Sequence, residues 1–575
     1  MLTPALLLPR PEAGAACPGK FLIMFAASGS RSRWIANAFL ICALVWFAGL
    51  EYRGLFMPDE GRYADIARSM LDSNDWVTPR LNGIKYFEKP PLQYWATAGT
   101  FALFGVDEWT ARLWPALTGF LGIALTAFAG FRLAPNSPWL LTASAVAGCW
   151  GYFLGGQFLT LDMGLTFFLT AAMLGFALSR RTDISSRAER GWMVLAWAAV
   201  ACAVLSKGIV GIVIPGLTLL VYLVIERDLS LLRRLHWVAG LCVFGAIVLP
   251  WFILVQERNP EFFDFFFIRE HFERYWLPDH HRAGPWWYFI PILLVGLLPW
   301  TPSIPAALAR AWRAPAQPGF KLDRFLVIWA GIVVVFFSAS HSKLPGYVLP
   351  AVPAILLLFA RHYPALSERL RRAPAFACIA SGLALTLLAA GLPTLSVLLS
   401  WPEFDAEYAI WLLAAGLALS AAGIAALRLL RRSRQEASLA VLGLGSLLAV
   451  QLALSGTHVL DEHYSSERLI DTMVGEKLRF PREPPFYSVA SFDQSVPFYL
   501  GRPVTLVRYK DELAPGIAAE PWKFVSSVDE FVGLWQEHEE AFAIMTPPFY
   551  EKLRQEGFPG RVLARDAWRV IVARR

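Results

Sequence analysis

From about residue 34 to residue 456 the chain alternates long apolar runs with short polar turns. The runs lie near 34–53, 112–132, 138–156, 161–179, 192–206, 208–226, 236–256, 286–304, 325–340, 344–360, 375–399, 408–427 and 437–456. A bilayer span needs roughly 20 apolar residues. The pattern therefore predicts an all-α polytopic membrane protein with about thirteen transmembrane helices. A further run, Pro91–Phe104, is about 14 residues long, which suits an interfacial or re-entrant segment better than a span.

Three long hydrophilic segments interrupt the pattern: 54–111, 257–285 and 457–575. The last has strand-like runs at Phe486–Ala490, Val504–Tyr509, Ala541–Met545 and Trp568–Ala573, with helix-like stretches at Val528–Glu537 and Tyr550–Gln555 between them. It reads as a small α/β domain. The division is then an N-terminal segment 1–33, a transmembrane region 34–456 and a C-terminal domain 457–575.

Composition agrees. Of 575 residues, 56% are hydrophobic and 17% charged, whereas soluble domains carry roughly 25% charged residues. This excludes a disordered chain, a coiled coil and a typical cytosolic enzyme. The net charge of +7 comes from Arg-rich turns, so it reads as topology and not as nucleic-acid binding. With a cytoplasmic N-terminus and thirteen spans, Arg180, Arg181, Arg310, Arg313, Lys321, Arg324, Arg361 and Arg428 fall in short inner loops. The short outer loops hold only Lys207 and Lys343, which is the positive-inside pattern. Counting Pro91–Phe104 as a fourteenth span would invert this. Five of the six cysteines lie inside apolar runs and read as packing residues. Residues 1–23 make a poor signal peptide, because no positive charge precedes the apolar run Ala5–Leu8.

On this topology the unusual polar residues share one face. Asp59 and Glu60 open an amphipathic pattern (Tyr63, Ile66, Ala67, Met70, Leu71), where a helix dipole favours acids. The loop Asn82–Pro91 mixes Tyr86, Glu88, Lys89 and prolines. Asp162 leads into a span from a nearly uncharged turn, and an acid at a membrane boundary is a functional hypothesis by default, with helix capping as the plain alternative. Lys207 and Lys343 could snorkel to lipid phosphate; Tyr347 follows Lys343. Loop 257–285 carries His271 and Arg274 among aromatics. Glu88 with His271 could hold a metal such as zinc, though a solvated or hydrogen-bonded histidine is the commoner case. No Walker A, GxSxG or HExxH pattern is present in the sequence. Cations beside carboxylates suit phosphate-ester chemistry, in which charge developing on a leaving phosphate must be stabilised.

Asp59-Glu60-Gly61-Arg62-Tyr63-Ala64 and Asn82-Gly83-Ile84-Lys85-Tyr86-Phe87-Glu88-Lys89-Pro90 resemble the first-loop motifs of the lipid A 4-amino-4-deoxy-L-arabinose transferases. These are glycosyltransferases of the GT-C fold, related to the protein mannosyltransferases. The turns Ser206-Lys207-Gly208 and His341-Ser342-Lys343-Leu344-Pro345 support the resemblance, which spans most of the chain. It implies a donor of undecaprenyl phosphate-linked aminoarabinose and an acceptor phosphate on lipid A. It also implies a site facing the periplasm in a Gram-negative inner membrane, and a role in polymyxin resistance. By position it implies Asp59 and Asp162 as the acidic pair near the sugar. Arg62, Tyr86, Lys89, Lys207 and Arg274, with Lys343 and Tyr347, would bind the carrier phosphate or complete the cavity. No cofactor is required by the resemblance. Gly61 and Pro90-Pro91 have no reading from the sequence, and no residue reads out the sugar.

The rival within enzymes is another polyprenyl-phosphate-sugar transferase, for example one like the protein O-mannosyltransferases. A transporter would put charges at mid-membrane and break its helices there, and a scaffold would leave the outer charge cluster unexplained.

Overall fold

The computed structural model describes residues 30–133, 139–273, 284–314, 319–399, 406–475 and 484–574. Nine helices among these are long and apolar enough to cross a membrane, among them Glu108–Leu133, Leu161–Ser179, Ser186–Lys207, Trp237–Arg258 and Leu322–Ala339. Shorter apolar helices cover Asn37–Phe47 and Val210–Glu226.

The thirteen expected runs are helical, but not all are single spans. The run near 138–156 forms two helices, Trp139–Ala147 and Trp150–Gln157. The run near 286–304 likewise gives Phe289–Gly296, a turn, and then Ile304–Trp312. The two breaks pack on each other. Trp150 N donates to the Leu298 carbonyl (3.2 Å) and the Cys149 thiol to the Gly296 carbonyl (3.1 Å). A Cβ on Gly151 would lie 3.1 Å from the Gly296 Cα, so the approach of the two backbones depends on glycine. The run 344–360 begins as a 3-10 turn, Pro345–Ala351, and continues as Val352–His362. Pro350 and Pro353 lack the N–H groups that a regular helix would use there.

The membrane core holds several fully buried indoles, and two of them pair their N–H groups with backbone carbonyls, whereas Trp329 Nε1 has no partner among the described residues. Trp46 donates to the Ala116 carbonyl (2.9 Å) and Trp300 to the Ala145 carbonyl (2.8 Å). An unpaired donor in such surroundings would be destabilising.

The first loop folds as the helix Asp59–Ser73, a short hairpin of strands β1 (Arg80–Leu81) and β2 (Ile84–Lys85), and the helix Leu92–Phe104. The last is 13 residues long, shorter than a bilayer span needs, and packs against Asp59–Ser73.

The C-terminal domain has a six-stranded sheet of β3 (Phe486–Val489), β4 (Thr505–Val507), β5 (Phe524–Val525), β6 (Phe542–Met545), β7 (Arg561–Arg565) and β8 (Val570–Ala573), in the order β5-β4-β3-β6-β8-β7. Tyr487 pairs with Thr505 and Ala543 in parallel; Ala543 pairs with Val572 antiparallel. Four of these strands were legible in the sequence; β5, two residues long, and β7, with its alternation interrupted by a bulge, were not. One face of the sheet is covered by Phe531, Trp535, Tyr550 and Leu553 of its own helices. The other face buries Phe486, Leu506, Phe542 and Ile571 in one cluster with Leu55, Ile66, Met70, Leu81 and Tyr94 of the first loop. The domain and the loop therefore share a core.

Candidate active site

Two clusters of polar side chains lie at the end of the bundle that carries the first loop. The first cluster joins three helix ends. Asp162 sits in the first turn of Leu161–Ser179, and its carboxylate is ion-paired to the ammonium of Lys207, the last residue of Ser186–Lys207. The Lys207 Nζ also lies 4.5 Å from the ring centroid of Tyr347, a cation–π contact. A Cβ on Gly346 would meet Asp162 Oδ2 at 2.5 Å, so the glycine lets the Pro345–Ala351 turn close over the acid. The Asp162 side chain thus faces Lys207 and not the backbone of its own helix. Lys343, from the same turn as Tyr347, is folded inward. Its ammonium donates to the carbonyls of Ser338 (3.1 Å) and Ser340, and burial lowers its pKa.

The second cluster is built on the first loop. Arg62 is 5% exposed and bridges Asp59 Oδ1 (2.8 Å) and Glu512 Oε2 (2.5 Å). Glu512 comes from the C-terminal domain and is held by Gln494 Nε2 (2.7 Å). Its carboxyl is pushed up by burial, drawn down by Arg62 and pushed up again by Glu88. Tyr86 is buried in the same neighbourhood. Burial raises its phenol pKa well above the usual value against the pull of Arg62, and Glu88 adds to the rise, so the phenol is a neutral donor. Lys89 Nζ donates to the Glu88 carbonyl (2.8 Å). A cavity of about 430 Å³ opens beside Tyr86 and Glu512, lined also by Lys85 and Glu261, which pair at 2.7 Å.

A buried ion cluster connects the two. Glu60 Oε2 accepts from Arg53 (2.7 Å) and Arg112 (2.9 Å), while Oε1 accepts from Arg112 Nε (2.8 Å) and from the backbone N–H of Leu159 (2.9 Å). Burial alone would raise the Glu60 pKa; Arg112 and Arg53 hold it below the usual carboxylate range. Leu159 is three residues before Asp162, so Glu60 fixes the Asp59 loop to the start of the Asp162 helix. The sequence suggested Glu60 as a helix-capping acid. The structure makes it a clamp, because two guanidinium groups reach it from positions 53 and 112.

Of the sequence-predicted residues, Asp162, Lys207 and Tyr347 are brought together, as are Asp59, Arg62, Tyr86 and Glu88, with Lys89 adjacent. The Lys343 ammonium is taken up by its own turn. Arg274 lies outside the described residues, and the His271 side chain is likewise not described. Among the described residues no group of three His, Cys, Asp or Glu side chains converges as a metal site. Glu512 and Arg112 were missed. Arg112 carried a signal, a guanidinium at the head of an apolar run. Glu512 carried none, since it stands in a separate domain 450 positions from Arg62.

An apolar groove of about 480 Å³ runs from Gly208, next to Lys207, between Val248, Phe252, Phe262 and Phe266. Its lining is almost wholly apolar, as a hydrocarbon chain requires, and Gly208 at its edge is the residue after Lys207.

Residues 474–574 match the family model "Aminoarabinose transferase C-terminal domain", and residues 34–266 match "Dolichyl-phosphate-mannose-protein mannosyltransferase". An undecaprenyl phosphate-α-4-amino-4-deoxy-L-arabinose arabinosyl transferase of Erwinia tasmaniensis is 32% identical over 329 residues, 56% of this chain and 58% of that protein. A second of that name, from Pseudomonas fluorescens, is 34% identical over 360 residues, 61% of this chain and 60% of that protein. These alignments span under two thirds of the curated relatives' length. The crystal structure of ArnT from Cupriavidus metallidurans bound to undecaprenyl phosphate superposes with a TM-score of 0.86 at 36% identity, covering 95% of this chain and 99% of that one.

Proposed function

Since the chain belongs to the family of the aminoarabinose transferases, we propose that it moves 4-amino-4-deoxy-L-arabinose from undecaprenyl phosphate to a phosphate of lipid A. The observation that carries this reading is the convergence of Asp162, Lys207 and Tyr347, with an apolar groove that is lined by Gly208, the residue after Lys207. The isoprenoid chain occupies the groove and its phosphate meets Lys207, with Lys89, Tyr86 and Arg274 completing the phosphate and sugar contacts. An oxygen of the acceptor phosphate attacks the anomeric carbon, the carbon–oxygen bond to the carrier phosphate breaks, and undecaprenyl phosphate leaves. Charge developing on that phosphate is stabilised by preorganised cations. The acceptor is already an anion near pH 7 and needs little deprotonation. Asp59 and Asp162 therefore orient the sugar and its ammonium first, and act as bases only secondarily. Displacement by a positioned nucleophile inverts the anomeric centre. Glu88 with His271 is the place where a divalent metal would bind.

The Arg-rich ends of the spans face the cytoplasm in this reading, and both clusters face the periplasm of a Gram-negative inner membrane. Modified lipid A carries less negative charge, which is the basis of polymyxin resistance.

Purified protein with undecaprenyl phosphate-linked aminoarabinose and lipid A is expected to yield lipid A bearing a pentosamine, read by mass spectrometry, with EDTA as the metal control. No product from that donor, together with transfer from a polyprenyl-phosphate mannose, would replace this function by that of the mannosyltransferase-like rival.

A further inference from the structure

A second large cavity lies at the other end of the bundle. It measures about 1110 Å³ and sits where the spans carrying Arg132, Arg180, Arg310, Lys321 and Arg361 end. Along the helix Leu161–Ser179, its lining residue Ala177 lies roughly 22 Å from Asp162, at 1.5 Å per residue. Eight Arg or Lys side chains line it against two carboxylates, Asp183 and Asp323.

Most of these cations are accounted for. Asp323 takes Arg361, Asp183 takes Arg181, and Glu226 takes both Lys321 and Arg324. Arg132, Arg310 and Arg313 have no salt-bridge partner among the described residues. Arg180 is buried to 0% side-chain exposure. Its Nη2 is held by Glu189 (3.0 Å) and the Arg234 carbonyl (3.2 Å), but its Nη1 has no partner among the described residues. A positive-inside bias requires basic residues at this face. It does not require that eight of them surround one hollow. Leu133, Phe320 and Leu322 give the same hollow an apolar wall.

We infer that this hollow is a binding site for a ligand carrying two or more phosphate charges, separate from the site of sugar transfer. Guanidinium groups bind phosphate oxygens in pairs, and an anion of that charge matches the three unpaired arginines. The phosphate belongs either to the headgroup of an anionic phospholipid of the adjoining leaflet, whose chains meet the apolar wall, or to a soluble pyrophosphate-like anion.

Thermal unfolding of the full chain tests this, because a ligand that binds only the folded state raises Tm. Two probes separate the sources: sodium pyrophosphate with the protein in detergent against sodium chloride of equal ionic strength, and cardiolipin in phosphatidylcholine nanodiscs against phosphatidylcholine alone. One of them is expected to raise Tm by about 2 °C or more. The rise should vanish in Arg310→Gln/Arg313→Gln and persist in Arg310→Lys/Arg313→Lys and in Lys207→Met. Should the double glutamine variant not fold, Arg313→Gln alone carries the same comparison. No rise with either probe, a rise that survives the glutamine variants, or a rise lost only in Lys207→Met would overturn the inference. None of these outcomes bears on sugar transfer.

Discussion

Asp162 and Lys207 stand 45 positions apart, on two different spans, and form one ion pair at the bundle's end. Each is about one-eighth exposed, so the pair is partly desolvated and its geometry is fixed by two helix ends and the Tyr347 ring. Lys207→Met is expected to lower transfer by a factor of about 100 or more, the scale of losing one preorganised charge at a developing anion. Lys207→Arg should recover part of it. Steady-state kinetics with the carrier-linked sugar checks this, and an unchanged rate in Lys207→Met removes the phosphate role.

Asp59 and Glu60 are neighbours with opposite expected readouts. Glu60→Gln leaves Arg53 and Arg112 buried against a neutral partner. A loss of about 3–5 kcal/mol is expected, seen as a lower Tm and poor expression. The Asp59 side chain is 38% exposed, and its buried partner Arg62 keeps Glu512 when Asp59 is neutralised. Asp59→Asn should leave Tm within a degree or two of wild type while transfer falls. Loss of Tm in both, or in neither, contradicts the assignment.

Gly61 is explained by the C-terminal domain. A Cβ there would lie 2.6 Å from the Ser495 backbone nitrogen, which cannot yield as a flexible side chain would. Gly61→Ala is expected to destabilise by about 1–3 kcal/mol, the range for overpacking, and to loosen the domain. Limited proteolysis between residues 457 and 484 should accelerate in the variant.

Asp65 makes stability depend on pH. Its carboxyl is buried, and burial raises its pKa to about 7, although it accepts a bond from the Asn82 backbone N–H (2.6 Å). Below the unfolded pKa both states hold the proton. Between about 4 and 7 the folded state holds it and the unfolded chain does not, so stability falls as pH rises through that window. Asp65→Asn should flatten this slope and raise Tm at pH 8 relative to wild type. The difference has an upper bound of about 4 kcal/mol, three pH units at 1.36 kcal/mol each. A wild-type Tm that rises from pH 5 to 7 by a margin Asp65→Asn abolishes would contradict it.

Asn82 shows how the parts are joined. Its side chain donates to the Val504 carbonyl and accepts from the Val504 N–H, both at 2.7 Å. Its φ of 51° lies in the left-handed region that asparagine tolerates. Asn82→Ala removes both bonds and disfavours that backbone. It should uncouple the loop from the domain and lower transfer without changing the transmembrane helices, as circular dichroism would report.

The sequence by itself determined the class of protein. The apolar runs, the Arg-rich turns and the gathering of Asp59, Asp162 and Lys207 at one end of the bundle follow from the cost of carrying charge and unpaired backbone into hydrocarbon, and that cost is read one segment at a time. Whether a run is one helix or two was settled by backbone contact, as at Gly151 and Gly296, where two distant runs must meet before either break makes sense. Which acid belongs to the site was likewise a tertiary matter. Glu60 and Asp59 are adjacent and chemically alike, but only Glu60 meets Arg53 and Arg112. Glu512 enters the first-loop cluster because the sheet packs on that loop. Charge pairing acts over a few ångströms of space and leaves no trace in the spacing of residues along the chain.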